Sequence, residues 1–318
     1  MRVFDSLAAI PLDAFARGTA VAIGKFDGVH RGHRALLGCV AEVAAERGLD
    51  PLVFTFANNP LSLLRPEACP QSLMSRQQRL DALEGEGVTA CVMVPFDAEL
   101  AAVPAEEFVR QVLVERLRVR HLCVGADFRF GRGGAGDPEL LSSMGERLGF
   151  SVEVIGDVED AQLGRISSSR VREAILQGDV ATAARMMDRP VALRGEVVRG
   201  DARGRELGFP TANLGGEIEG LRPADGVYAG WAVVRGEQYE AAISVGANVT
   251  FDPDGESRVE AYLIDFSGDL YGERIELRFV ERLRGMAAFA SVEALVARMQ
   301  EDVRETREIL RGKRIAFP

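Results

Sequence analysis

Residues 19–37 read TAVAIGKFDGVHRGHRALL. An apolar run over residues 20–23 breaks at Gly24 and passes through Lys25, Phe26, Asp27 and Gly28. It then enters a segment whose apolar residues Leu36, Leu37, Val40 and Val43 keep helical spacing. The order is strand, glycine turn, helix. Such a turn aims backbone N–H groups from the positive end of the helix, where a phosphate can be held. His30 and His33 lie there, three residues apart around Gly32, so a helix projects both from one face. Two imidazoles beside a phosphate can donate hydrogen bonds to oxygens that gain charge during displacement. The competing reading is a pair of surface histidines near a helix start, although the chain has only one other histidine, His121.

Outward from this unit the pattern repeats. Residues 52–56 (LVFTF) predict a buried parallel strand ending in the loop Ala57-Asn58-Asn59-Pro60. Helices are predicted over 75–86, 105–118 and 138–148, and strands over 88–94 and 121–125. Strands alternating with helices imply right-handed crossovers and a parallel, doubly wound sheet. Ligands bind such sheets at the carboxyl ends of the strands, so the loops after Ile23, Phe56 and Val124 should converge. The last of these, GADFRFGRGGAGD (125–137), offers a carboxylate at Asp127, a stacking face at Phe128 and a cation at Arg129, in a backbone permissive enough for close approach. A plain flexible loop is the competing reading. Further on, Ser167, Ser168 and Ser169 precede Arg170, Val171 and Arg172 at the start of a predicted helix over 171–177, where hydroxyl residues ordinarily act as caps.

A chain of 318 residues exceeds the usual size of a single core, so two domains are expected. A net charge of −10 argues against broad nucleic-acid binding and makes any phosphate site local. Cys39, Cys69, Cys91 and Cys123 lack CxxC spacing, and three lie in apolar runs; all are expected to be reduced thiols without metal or disulfide roles. The first residues carry early acidic groups and no secretory pattern, and no apolar run is long enough to span a bilayer, so a cytoplasmic protein without membrane partners is expected.

Beyond residue 190 the period changes. Residues 179–190 (DVATAARMMDRP) predict a short helical linker, followed by strands over 191–198, 226–234, 239–245, 257–264 and 274–279. Closely spaced strands with Gly and Pro punctuation suggest a small antiparallel barrel or sandwich, and residues 291–310 an amphipathic helix packed on it. The chemistry of this half centres on GDARGRELGFPTANL (200–214). Gly200, Gly204 and Gly208 let a loop close over phosphates, Arg203 and Arg205 supply charge, and Pro210 sets the backbone before Thr211 and Asn213. Thr211 and Asn213 alternate with Ala212, so in an extended segment both face one ligand, and their oxygens suit Mg2+.

These motifs carry a resemblance. HRGH after a strand is similar to the HxGH signature of nucleotidyltransferases, and the longer GKFDGVHRGH, with GADFRFG, ISSSRVR and PTAN in that order, resembles the bacterial bifunctional riboflavin kinase/FAD synthetases. The resemblance implies a Rossmann-like nucleotidyltransferase domain over residues 1–187 and a β-barrel riboflavin kinase domain with a terminal helix over 188–318. It implies two reactions. The C-terminal half phosphorylates riboflavin to FMN with ATP and Mg2+, and the N-terminal half joins AMP from a second ATP to FMN, releasing pyrophosphate and giving FAD.

For the adenylyltransferase the resemblance assigns ATP and phosphate contacts to Gly24, Phe26, Asp27, Gly28, His30, His33, Asn59, Asp127, Ser167, Ser168, Ser169 and Arg172, and flavin contacts to Phe128, Arg129 and Phe130. For the kinase it assigns ATP contacts to Gly200, Arg205, Gly208, Pro210, Thr211 and Asn213, with Thr211 and Asn213 on the metal; flavin contacts to Tyr228, Arg284 and Phe289; and the catalytic carboxylate to Glu260. SVGANVTFD (244–252) resembles a further family segment, with Val249 where proline is usual. The chain departs from the family where FDPHP is usual after the second strand: it has FANNP, with Ala57 for the acidic residue and Asn59 for histidine. Asparagine donates a hydrogen bond but carries no proton or charge. An alternative is therefore a riboflavin kinase with weakened or lost adenylylation. A monomer or weak homo-oligomer acting on small molecules is expected.

Overall fold

The computed structural model describes residues 1–200, 203–247 and 256–312, in two compact units: 1–72 with 76–167, and 73–75 with 168–318. Val249 lies outside the described residues, and no helix among them is long and apolar enough to cross a membrane.

The first unit is built on six parallel strands: β1 (Arg2–Phe4), β2 (Thr19–Ile23), β3 (Asp50–Phe56), β4 (Ala90–Val94), β5 (Val119–Gly125) and β6 (Ser151–Ile155), in the spatial order β1-β4-β3-β2-β5-β6. Every residue of β2 and β4 is buried, as an apolar run must be when helices cover both faces of a sheet. Those helices include α1 (Arg31–Arg47), the short α2 (Leu61–Leu64), α3 (Arg76–Glu84), α4 (Ala98–Ala102), α5 (Ala105–Glu107) and α6 (Pro138–Leu148). The helix predicted over 105–118 is instead α5 running into a π-helical stretch, Phe108–Arg116. A small hairpin, β7 (Glu159–Asp160) with β8 (Gly164–Arg165), follows β6. Neither β1 nor β6 was expected from the sequence. β1 is only three residues long and half exposed, and β6 has mostly partly exposed side chains, so neither shows a buried run.

The expectation of four reduced cysteines is corrected. Helix α1 lies over β5, and there Cys39 and Cys123 form a disulfide with their Cα atoms 6.8 Å apart. Cys69 and Cys91 are free; Cys91 is fully buried in β4, and burial pushes its thiol up to about 12.

The second unit opens with α7 (Ser168–Gln177) and α8 (Val180–Met187). The segment predicted as a linker is therefore a packed helix, burying Val180, Ala183, Met186 and Met187, and it ends where Asp188 turns left-handed. Next comes a closed antiparallel barrel: β9 (Val191–Val198), β10 (Thr211–Glu219), β11 (Gly226–Val234), β12 (Glu237–Gly246), β13 (Arg258–Leu263) and β14 (Arg274–Arg284), ordered β10-β13-β12-β11-β14-β9. The short α9 (Arg203–Glu206) precedes β10. The last helix, α10 (Val292–Leu310), capped by the Ser291 hydroxyl on the Ala294 N–H, packs over β11 and β12. Covered inside and out, β11 is almost wholly buried. In β10 and β13, by contrast, buried residues alternate with partly exposed ones, leaving an open outer face.

Candidate functional sites

In the first unit β2 ends and the chain turns through Gly24 into α1. Phe26 (φ 50°), Gly28 (φ 89°) and Val29 (φ 39°) all take positive φ, which is costly for a β-branched residue such as Val29. Backbone strain of this kind, about 1–3 kcal/mol per residue, persists only where the surroundings enforce it, and it clusters at ligand sites. The enforcement is visible. Phe26 and Val29 are fully buried, Val29 N–H donates to Phe26 O, and Lys25 O accepts from Thr55 Oγ1 at 3.2 Å and from Arg79 Nη1 at 2.9 Å. Phe26 thus contributes its ring to the core, against Gly24 and, at 5.2 Å between centroids, against His33.

His30 is the N-cap of α1, its Nδ1 accepting the His33 N–H at 3.4 Å, and the two imidazoles stack with centroids 3.7 Å apart. The histidines predicted to act together are therefore brought together, at the positive end of a seventeen-residue helix. Ile166 O lies 3.8 Å from where a side chain on Gly32 would begin, which brings the chain just before Ser167 back to the histidine turn. Ser168, Ser169 and Arg172 belong to the first turns of α7, in the second unit.

At the end of β3, Asn58 exchanges hydrogen bonds with the backbone of Phe96, and Asn59 Oδ1 accepts the Leu61 N–H at 3.1 Å. The departure at Asn59 is thus a local turn former whose donor end is left for other partners. At the end of β5, Asp127 is highly exposed and 3.7 Å from Arg165. Phe130 is buried, stacked on Phe128 with centroids 5.6 Å apart, and paired by backbone hydrogen bonds with Gly136. Arg129 is exposed and folds back onto Phe128 O. Phe130 therefore supports the loop, Phe128 packs half-buried against the core, and Arg129 is exposed.

Arg79 was missed from sequence, where it is one cation in a polar helix. In the structure it is 9% exposed, and it donates to Lys25 O and, at 3.3 Å, to Ala57 O. One guanidinium thus ties together the loops after β2 and β3. Burial lowers its pKa, and Asp27 opposes that shift.

In the second unit β10 and β13 pair with Asn213 opposite Glu260 and Thr211 opposite Tyr262. Thr211 Oγ1 lies 3.4 Å from Glu260 Oε2. Ser244 of β12, which opens the segment 244–252, pairs with Glu260 from the other side, and Tyr262 packs edge-to-face on Phe209. All sit on the open outer face of the barrel. Among the described residues Asn213 Oδ1 is buried with no hydrogen-bond partner, an orphaned hard oxygen next to a hydroxyl and a carboxylate. That donor set fits Mg2+. A side chain on Gly200 would begin 2.7 Å from the Asn213 amide, so only glycine fits behind it. Gly208 turns with φ 84°, and Arg205 and Pro210 are exposed in the same loop.

Two residues assigned to the flavin are held by the protein's own groups. Tyr228 is fully buried, packs edge-to-face on Phe279 and donates its hydroxyl to Ala224 O; burial pushes it up to about 12. β11 is covered on both faces at this point. Arg284 makes a two-pronged pair with Asp302 of α10 at 3.0 and 2.7 Å, and its guanidinium lies 5.6 Å from the Phe289 ring centroid. Arg284 and Phe289 thus come together, anchoring residues 285–290 to the last helix.

The family model of FAD synthetase matches residues 12–170, and that of riboflavin kinase matches residues 187–310. Relatives described as bifunctional riboflavin kinase/FMN adenylyltransferase include a Pseudomonas fluorescens protein, 38% identical and covering 92% of this chain and 93% of its own length. The Escherichia coli K12 relative is 37% identical, covering 92% of each, and the Bacillus subtilis relative 32%, covering 90% and 91%. A solved Streptococcus pneumoniae structure described as a macrolide-efflux protein is 32% identical with a TM-score of 0.84, covering 96% of this chain and 98% of its own.

Proposed function

Because the chain belongs to the bifunctional riboflavin kinase/FMN adenylyltransferase family, with both domains present, it phosphorylates riboflavin to FMN and adenylylates FMN to FAD; we propose how its residues divide that work. Residues 1–187 carry adenylylation and 188–318 carry phosphorylation. In the kinase half, Glu260 accepts the proton of the attacking ribityl hydroxyl, and Thr211 and Asn213 are the residues that would hold Mg2+. When bound, the cation neutralises charge on the triphosphate. The single observation supporting this reading is the buried, unpartnered Asn213 Oδ1 beside Thr211 and opposite Glu260.

In the adenylyl half the FMN phosphate is itself the nucleophile, so no covalent enzyme intermediate is required. His30 and His33, at the helix end, stabilise charge on the leaving pyrophosphate, and the backbone of residues 24–28 lies against the phosphates. Asp127 and Asn59 contribute polar contacts from the neighbouring strand ends. Phe128 and Arg129 offer the flavin a stacking face and a cation. The net charge of −10 favours small-molecule substrates over nucleic acid, on a cytoplasmic monomer or weak homo-oligomer.

The test follows riboflavin, FMN and FAD by chromatography with ATP and Mg2+. Glu260→Gln should leave riboflavin unchanged yet convert supplied FMN; His30→Ala should accumulate FMN. A mixture of the two variants should restore riboflavin-to-FAD conversion. Equal loss of both steps in both variants would overturn the division of labour.

A further inference from the structure

Toward the amino end of β5 lies a cluster that neither reaction uses. Strand alternation puts His121 and Cys123 on one face, and parallel register pairs His121 with Ser151 and Cys123 with Glu153 of β6. Helix α1 covers that face and supplies Cys39. The ligand atoms of Cys39, His121 and Cys123 lie within 4.8 Å of one another. His121 Nε2 is 3.8 Å from Cys39 Sγ and 3.6 Å from Glu153 Oε2. Cys39, His121 and Cys123 are enclosed together, His121 3% and Cys123 0% exposed, and Glu153 beside them reaches the surface.

The ring orientation is set from behind. Ser151 Oγ donates to Arg120 O at 3.3 Å, accepts from Arg47 Nη1 at 3.0 Å, and sits 2.8 Å from His121 Nδ1. In the tautomer with the proton on Nδ1, Ser151 Oγ accepts the Nδ1–H and the Nε2 lone pair is the one turned toward Cys39 Sγ. Holding the distal nitrogen of a histidine in this way is the usual arrangement behind a metal ligand. A simple cross-link between Cys39 and Cys123 requires no imidazole aimed at it.

We propose that reduction of the Cys39–Cys123 disulfide opens a site for a thiophilic divalent cation, Zn2+ by its donor preference, held by Cys39, Cys123 and His121 with Glu153 at the open edge. Two equivalents of a thiol reduce the bond and leave as their own disulfide, or a phosphine supplies the two electrons and becomes its oxide while water supplies the oxygen and both protons; either way two thiols result. The cation then displaces both protons as the two thiolates bind. Oxidation and metal occupancy exclude each other, and either braces α1, which carries His30 and His33, against β5.

The test uses the full-length, tag-free chain, reduced with a phosphine under argon and titrated with Co2+ as a spectroscopic probe. One ion per chain should bind with thiolate-to-cobalt charge-transfer and tetrahedral visible bands, and Zn2+ should displace it. Cys39→Ser, Cys123→Ser and His121→Gln should abolish these bands, and Ser151→Ala should weaken binding ~10- to 100-fold. In the wild-type chain, which avoids any folding defect, Zn2+ should protect Cys39 and Cys123, and not Cys69, from alkylation. Absence of the charge-transfer band in the reduced wild-type chain, or a band without protection of these two thiols, would overturn the proposal.

Discussion

Asn213 of β10 and Glu260 of β13 stand directly opposite each other in an antiparallel ladder, forty-seven positions apart in the chain, with Thr211 Oγ1 3.4 Å from the Glu260 carboxylate. Ladder register, set by the buried alternate residues Ala212, Leu214, Val259 and Ala261, puts these oxygens on the barrel exterior. A one-residue slip would turn all of them inward.

Glu260→Gln keeps the shape and removes the carboxylate proposed as the base. Riboflavin phosphorylation should fall about 100- to 10,000-fold, with FMN adenylylation unchanged when FMN is supplied. Steady-state rates of the two half-reactions, measured separately, check this.

Gly200→Ala places a methyl 2.7 Å from the Asn213 amide. Displacing that ligand should lower kinase kcat/KM ~10- to 100-fold and raise the Mg2+ concentration for half-maximal rate. A Mg2+ titration of both activities decides it, because FAD formation from FMN should not change.

His30 both caps α1 and presents an imidazole, and two substitutions separate the roles. Asparagine is a good cap, so His30→Asn should keep the unfolding temperature, whereas His30→Ala should lose about 1 kcal/mol of stability. Both should lower adenylylation, about 100- to 1,000-fold. Calorimetry beside the FAD assay distinguishes the two effects.

Arg79→Met leaves the Ala57 and Lys25 carbonyls short of a donor inside the first unit. A loss of about 1–3 kcal/mol of stability is expected, together with a raised KM for ATP in FAD formation and an unaltered riboflavin kinase. Arg79→Lys, with a single point of charge, should restore only part of it.

Burial disfavours the Cys91 thiolate and moves its pKa up to about 12, so at mildly alkaline pH the folded chain should keep this thiol protonated. Alkylation followed by peptide mapping should label Cys69 well before Cys91. Denaturation should abolish the difference, since the unfolded thiol titrates at its ordinary value.

Much of the architecture was legible because it is written in short-range patterns. Residues 19–37 announce strand, turn and helix within one window, and the change from helical to strand period beyond residue 190 marks the barrel half. Other features were not legible. β1 is too short to show a period, and the apolar pattern of 105–118 does not distinguish the π-helical stretch from an α-helix. Nor does GVYAGW show that its strand is covered on both faces and its tyrosine buried.

From sequence alone came the two-domain plan and the positions of the histidine pair and the PTAN oxygens, because spacing and backbone preference are local properties of the chain; the chemistry of each half came from the resemblance those motifs carry. Tertiary structure alone decided that Arg79 joins two loops, that Asn213 meets Glu260, that Tyr228 is core, and that Cys39 and Cys123, 84 residues apart, share a site with His121. Strand register and burial bring together residues with no fixed separation along the chain, and no window of sequence contains both partners.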